Sequence, residues 1–78
     1  MSLEQFVEEF EESVGDIEPG SLSGAAKFRE LDVWDSLAVL NVIAMVDAEY
    51  NVRLKAAKLK EYETLEALYD EVRTRSKA

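Results

Sequence analysis

Apolar residues recur at helical spacing in three stretches of this chain, and that period fixes the fold class more firmly than any other feature. Leu3, Phe6, Val7, Phe10 and Val14 form the first stripe, opposite Glu4, Glu8, Glu11 and Glu12. The spacing predicts a helix over 3–14, with Ser2 as its N-cap and Gly15 as its stop. Val39, Val42, Ile43, Val46 and Tyr50 predict a second helix over 36–50. Leu65, Leu68, Tyr69 and Val72 predict a last one, with Thr64 as N-cap and Arg73, Arg75 and Lys77 at its cation-favouring end. Ala56 to Glu61 reads as a short helix with Leu59 inward, and Val52 and Leu54 alternate along an extended link before it. Short links between the later helices make them antiparallel neighbours. The expectation is an all-α, small four-helix bundle with a short third helix, built as a single domain over 1–78.

Residues 15–35 stand between the first two helices as a long connection. Pro19-Gly20 is a turn signal, and Ser21, Ser23 and Gly24 extend it. Apolar residues punctuate the stretch, with Phe28 and Leu31 as its best anchors to a core and a helical turn expected around 25–31. A chain of 78 residues buries only about 60% of its unfolded surface, and its core supplies roughly 3–5 kcal/mol. With no Cys and no His there is neither a disulfide nor a zinc site to help, so apolar packing must hold the fold.

The same absence excludes most chemistry. Ser-His and Cys-His pairings are impossible, and no glycine-rich phosphate loop is present. The paired carboxylates Glu8-Glu9 and Glu11-Glu12 read as a solvated helix face, and their mutual repulsion predicts stabilisation by salt. Asp16, Glu18, Glu30 and Asp32 lack the spacing of an EF-hand loop, so no metal site is assigned. A net charge of -8, from 17 acids and 9 bases, opposes binding to nucleic acid or an anionic membrane. It favours partners with basic surfaces, and it also serves solubility. No signal-peptide pattern or membrane-length apolar run is read, so the expected location is the cytoplasm.

Two features of the second helix remain. Leu37, Leu40 and Ala44 form another apolar stripe nearly opposite the core face, with Asn41, Asp47 and Ala48 alongside. A partner covers it, a neighbouring element covers it, or its leucines are ordinary surface. At the mouth of the helix, Asp35 and Ser36 precede N–H groups that lack intrahelical acceptors. An N-cap explains either residue, although no Glu or Gln completes a capping box. A phosphate carried on the serine would meet the positive end of the helix dipole.

Asp35-Ser36-Leu37 resembles the D-S-L motif of acyl carrier proteins and peptidyl carrier proteins. The likeness spans nearly the whole chain. It includes the acidic first helix, Phe28 eight residues before the serine, Asp47-Ala48-Glu49-Tyr50, Val52-Arg53-Leu54 and Thr64-Leu65. The resemblance implies a non-enzymatic monomer whose Ser36 carries 4'-phosphopantetheine, transferred from coenzyme A by a phosphopantetheinyl transferase that recognises Asp35. It implies acyl or aminoacyl cargo held as thioesters and presented to loading and processing enzymes. Their basic surfaces would meet Leu37, Leu40, Asn41, Ala44 and Asp47. Val39, Ile43, Val46 and Leu59 serve either as core or as lining for an acyl chain.

Some residues depart from the pattern of fatty-acid carriers, in which Gly and a small residue precede D-S-L. Val33 and Trp34 stand there in this chain, and Ala38, Asn41 and Ala48 are neutral where that pattern is acidic. This points toward specialised freestanding carriers of secondary-metabolite pathways rather than fatty acid biosynthesis. The competing expectation is an acidic helical protein-interaction domain with the same fold and no prosthetic group.

Overall fold

The computed structural model describes residues 2–76, and every regular element among them is helical. Helix α1 spans Leu3–Val14, α2 spans Ser36–Tyr50, α3 spans Ala56–Leu59 and α4 spans Leu65–Ser76. A 3₁₀ turn, Phe28–Glu30, lies between α1 and α2. Lys77, expected at the end of the last helix, lies outside the described residues.

The caps follow from side-chain chemistry. Ser2 Oγ accepts from Gln5 N–H at 3.1 Å and starts α1. Gly15, at φ 74°, ends it and donates its N–H to Glu11 O. Asn51 ends α2 at φ 56°, a left-handed conformation that asparagine tolerates better than most residues. Thr64 Oγ1 accepts from Ala67 N–H at 3.2 Å and starts α4. Helix α3 stops at Leu59, short of the expected Glu61, because Lys60 and Glu61 N–H turn back to carbonyls three residues earlier.

Phe6, Phe10, Phe28, Val42, Val46, Leu59, Leu65, Leu68 and Val72 fill the core. Val52 and Leu54 both turn inward from the α2–α3 link and are buried, while Arg53 between them is exposed. The buried ridge of α2 is Ala38, Val42, Val46 and Tyr50, an i, i+4 row. Val39 and Ile43, expected at its centre, are only half-buried at its edge. Helix α2 is apolar around most of its girth, so its own period leaves the inward direction poorly defined. Packing against α1, α3 and α4 fixes it.

The connection from α1 to α2 is tied to the rest at separate points. Glu11, expected on the solvated face, is instead buried, and its carboxylate accepts from Gly20 and Leu22 N–H, each at 3.0 Å. Further along, Gly24 O and Ala26 O accept from Glu66 and Leu65 N–H at 2.8 and 3.1 Å. The loop thereby satisfies first-turn donors of α4 that have no intrahelical acceptor. Gly24 leaves room for Leu3, whose Cδ2 would lie 2.7 Å from a Cβ there and would have to swing aside. The expected helical turn over 25–31 is shorter than predicted, and Phe28 within it is wholly buried, whereas Leu31 is half-buried.

Two predictions arise here. Tyr50 donates its hydroxyl to Glu9 across the α1–α2 interface. Burial, and then that bond to Glu9, hold its phenol well above the usual tyrosine range. A pKa raised on folding gives stability that is intact below the unfolded value, about pH 10, and is lost as pH climbs toward the folded one. Tyr50→Phe is therefore expected to flatten the fall in melting temperature above about pH 10, and to leave the slope below it unchanged. Equal slopes for variant and wild type in thermal melts would exclude this coupling. The second concerns salt. With Glu11 buried and Glu9 bonded, Glu4, Glu8 and Glu12 remain as an exposed like-charged i, i+4 row. Added sodium chloride should raise the melting temperature by screening them, and a flat or falling titration would contradict it.

Candidate functional site

The start of α2 is held by aromatic packing. Trp34 stacks on Phe10 with ring centroids 5.9 Å apart and meets Phe28 edge-on at 5.2 Å. Phe10 and Phe28 in turn pack at 5.8 Å. These three rings join α1, the 3₁₀ turn and the residue two before Ser36, so the helix mouth is set by the core. The sequence flags Trp34 only as an oddity before the D-S-L triplet, and the contacts make it a structural wall.

Asp35, rather than Ser36, is the N-cap. Its Oδ1 accepts from Ala38 N–H at 2.8 Å, and its carbonyl accepts from Val39 N–H at 3.0 Å. Ser36 is the first residue of the helix and is exposed. Its hydroxyl makes no hydrogen bond among the described residues. With Asp35 occupying Ala38, the N–H groups of Ser36 and Leu37 are left to solvent or to an anion. The division of labour is chemically useful. Asp35 secures the helix, and Ser36 is left with an exposed, unbonded primary alcohol.

Beside that alcohol lies a cavity of about 320 Å³, lined by Ser36 together with Arg29, Trp34, Val39, Leu40, Ala56, Leu59 and Lys60. Of the four residues weighed as acyl lining, Val39 and Leu59 border it. Val46 is fully buried in the core and Ile43 packs against the core.

The second stripe of α2 is uncovered. Leu37 and Leu40 are 64% and 61% exposed, the large apolar residues most open to solvent, and Ala44 and Asp47 are exposed on the same side. Asn41 is half-buried among them. No neighbouring element among the described residues covers this stripe, which starts one residue after Ser36 and follows the helix away from it.

Over residues 4–72 the sequence matches the phosphopantetheine attachment site family, a span that takes in all four helices up to the last turn of α4. The chain belongs to that family. Neither the curated proteins nor the solved structures searched give a match. A domain of this family is the attachment site for the 4'-phosphopantetheine prosthetic group, and such domains are generally carriers rather than catalysts. They work with phosphopantetheinyl transferases and biosynthetic enzymes. The site fits such a group on its own geometry, because one unbonded, exposed hydroxyl sits at a helix start next to an open apolar cavity. No cluster of three or more potential metal-ligating side chains occurs among the described residues, and no helix there is long and apolar enough to cross a membrane.

Proposed function

We propose that this chain is a discrete carrier domain, acting as one unit over residues 1–78, with Ser36 as its attachment point. The exposed Ser36 hydroxyl, relieved of capping by Asp35, is the observation that carries this reading. In the loading step, Ser36 Oγ forms a bond to the pantetheine-side phosphorus of coenzyme A. The phosphoanhydride bond breaks, 3',5'-adenosine bisphosphate leaves, and the serine proton passes to a base of the transferase. Once attached, the group supplies the thiol that the chain lacks, on which cargo is held as a thioester.

The chain's own residues do the rest. Asp35 fixes the helix start and offers the transferase a carboxylate beside the reacting alcohol. Leu37, Leu40 and Ala44 give partner enzymes an apolar strip, with Asn41 and Asp47 as polar neighbours. The negative field of the chain speeds encounter with basic surfaces, and exposed charge pairs add little to affinity and are screened by salt, which suits a carrier that must visit several enzymes. The domain performs no catalysis itself, works as a monomer in the cytoplasm, and carries acyl or aminoacyl intermediates. Val33 and Trp34 before the triplet, and the neutral Ala38, Asn41 and Ala48, favour a specialised pathway over fatty acid biosynthesis.

The test is intact-mass measurement after incubation with coenzyme A and a broad-specificity transferase. The expected result is one phosphopantetheine per chain, localised to Ser36 by peptide mapping. No mass increase with several transferases would overturn the proposal and leave a cofactor-free interaction domain as the better reading.

A further inference from the structure

The cavity beside Ser36 carries a charge pattern at odds with the rest of the chain. Only 9 of the 78 residues are basic, and two of them, Arg29 and Lys60, border this one apolar cavity. They come from separate elements, the 3₁₀ turn and the end of α3. Neither makes an ion pair among the described residues, where the pairs are Lys58–Glu61, Arg73–Asp70 and Arg75–Glu71. Arg29 is also positioned, since its Nε donates to Tyr62 O at 3.1 Å and so fixes the guanidinium plane beside the cavity. An acidic chain has carboxylates to spare for both cations and uses none of them.

The reading of Ser36 as the attachment point, on which this inference rests, supplies the missing anion. Loading places a phosphodiester on an oxygen that itself lines the cavity. We propose that the loaded arm folds back along this cavity in its resting state. Arg29 and Lys60 then hold its phosphodiester, and Trp34, Val39 and Leu59 form the wall against which its apolar carbons lie. The open side of the cavity leaves the amides of the arm in contact with water, so no polar group is buried without a partner. Exposed ion pairs of this kind are weak and salt-sensitive, so a partner enzyme can draw the arm out.

Trp34 is the sole tryptophan and stands in the cavity wall, so its fluorescence reports occupancy. The experiment compares the unmodified and loaded full-length chains, with loading verified first by intact mass. The loaded form should show a blue-shifted Trp34 emission and weaker quenching by acrylamide. Added sodium chloride should move both readings back toward those of the unmodified chain. Arg29→Gln and Lys60→Gln, each loaded to completion, should show reduced shifts. A chain that fails to load contradicts the Ser36 assignment itself. A chain that loads with Trp34 emission and quenching unchanged overturns only the folded-back arm. Shifts that persist unaltered in both variants and in high salt overturn the role given to the two cations.

Discussion

Replacing Ser36 with alanine is expected to abolish loading completely while leaving the fold intact. Intact mass would show no increment after exposure to coenzyme A and transferase, at enzyme levels that convert the wild type fully. The stability half of the expectation follows from the hydrogen bonds. Asp35 caps α2 and the Ser36 hydroxyl bonds nothing among the described residues, so no structural interaction is lost. Alanine is also the best helix former, and surface substitutions of this type change stability by only about 0.5 kcal/mol either way. The neighbouring substitution gives the opposite stability result. Asp35→Ala removes the cap and leaves Ala38 N–H without its 2.8 Å partner, at a cost of about 1 kcal/mol. A Ser36→Ala chain that still gained the full mass would displace the attachment point. One that lost loading together with its cooperative melt would mean that the hydroxyl has a structural duty.

Phe28→Ala is expected to be the most damaging single substitution in the connection between α1 and α2. The ring is wholly buried, packs on Phe10 at 5.8 Å and on Trp34 at 5.2 Å, and lies in a segment with no long helix to retain it. Truncating a core phenylalanine costs about 3–5 kcal/mol, which matches the roughly 3–5 kcal/mol that a core of this size supplies. The variant should therefore be largely unfolded, or melt far below the wild type, by far-ultraviolet circular dichroism. Trp34 loses a wall of its packing at the same time, so the start of α2 becomes mobile and loading slows even in the folded fraction. Leu31→Ala, at a half-buried site in the same segment, should be much milder. A Phe28→Ala chain melting like the wild type would refute the view that this ring fastens the connection to the core.

How much of this was legible in the chain varies with the range of the interaction responsible. The bounds of α1 and the start of α2 were readable because Ser2, Gly15 and the Asp35-Ser36 pair act within a turn of themselves, whereas the left-handed Asn51 that ends α2 was found only in the structure. The exposed stripe of Leu37, Leu40 and Ala44 was readable as a surplus, because one helix in so small a bundle cannot bury both faces. Glu11 was misread for the complementary reason. Its position lies at the edge of the apolar stripe, one turn from Val7 and from Val14, and the return of residues 20–22 over it completes the burial. The charge of the residue outweighed that placement in the reading, because nothing in the sequence shows which N–H groups would satisfy its carboxylate. The inward ridge of α2 was read in part: Val42, Val46 and Tyr50 are buried as expected, but Ala38 joins them while Val39 and Ile43 lie at the edge, because a helix apolar almost all round carries no strong directional signal.

The sequence alone determined the order of the helices, the caps at Ser2, Gly15 and Thr64, and the chemistry left available. With neither Cys nor His, reactivity had to come from something attached, and one serine stood at a helix mouth to accept it. The tertiary structure decided which of Asp35 and Ser36 caps, that Trp34 is a fixed wall, and that Arg29 and Lys60 meet at the cavity beside Ser36. The reason is physical. Caps and helical periods depend on residues a few positions apart. A cavity bordered by residues 29, 34, 36, 56 and 60 exists only once separate segments have packed around a common core.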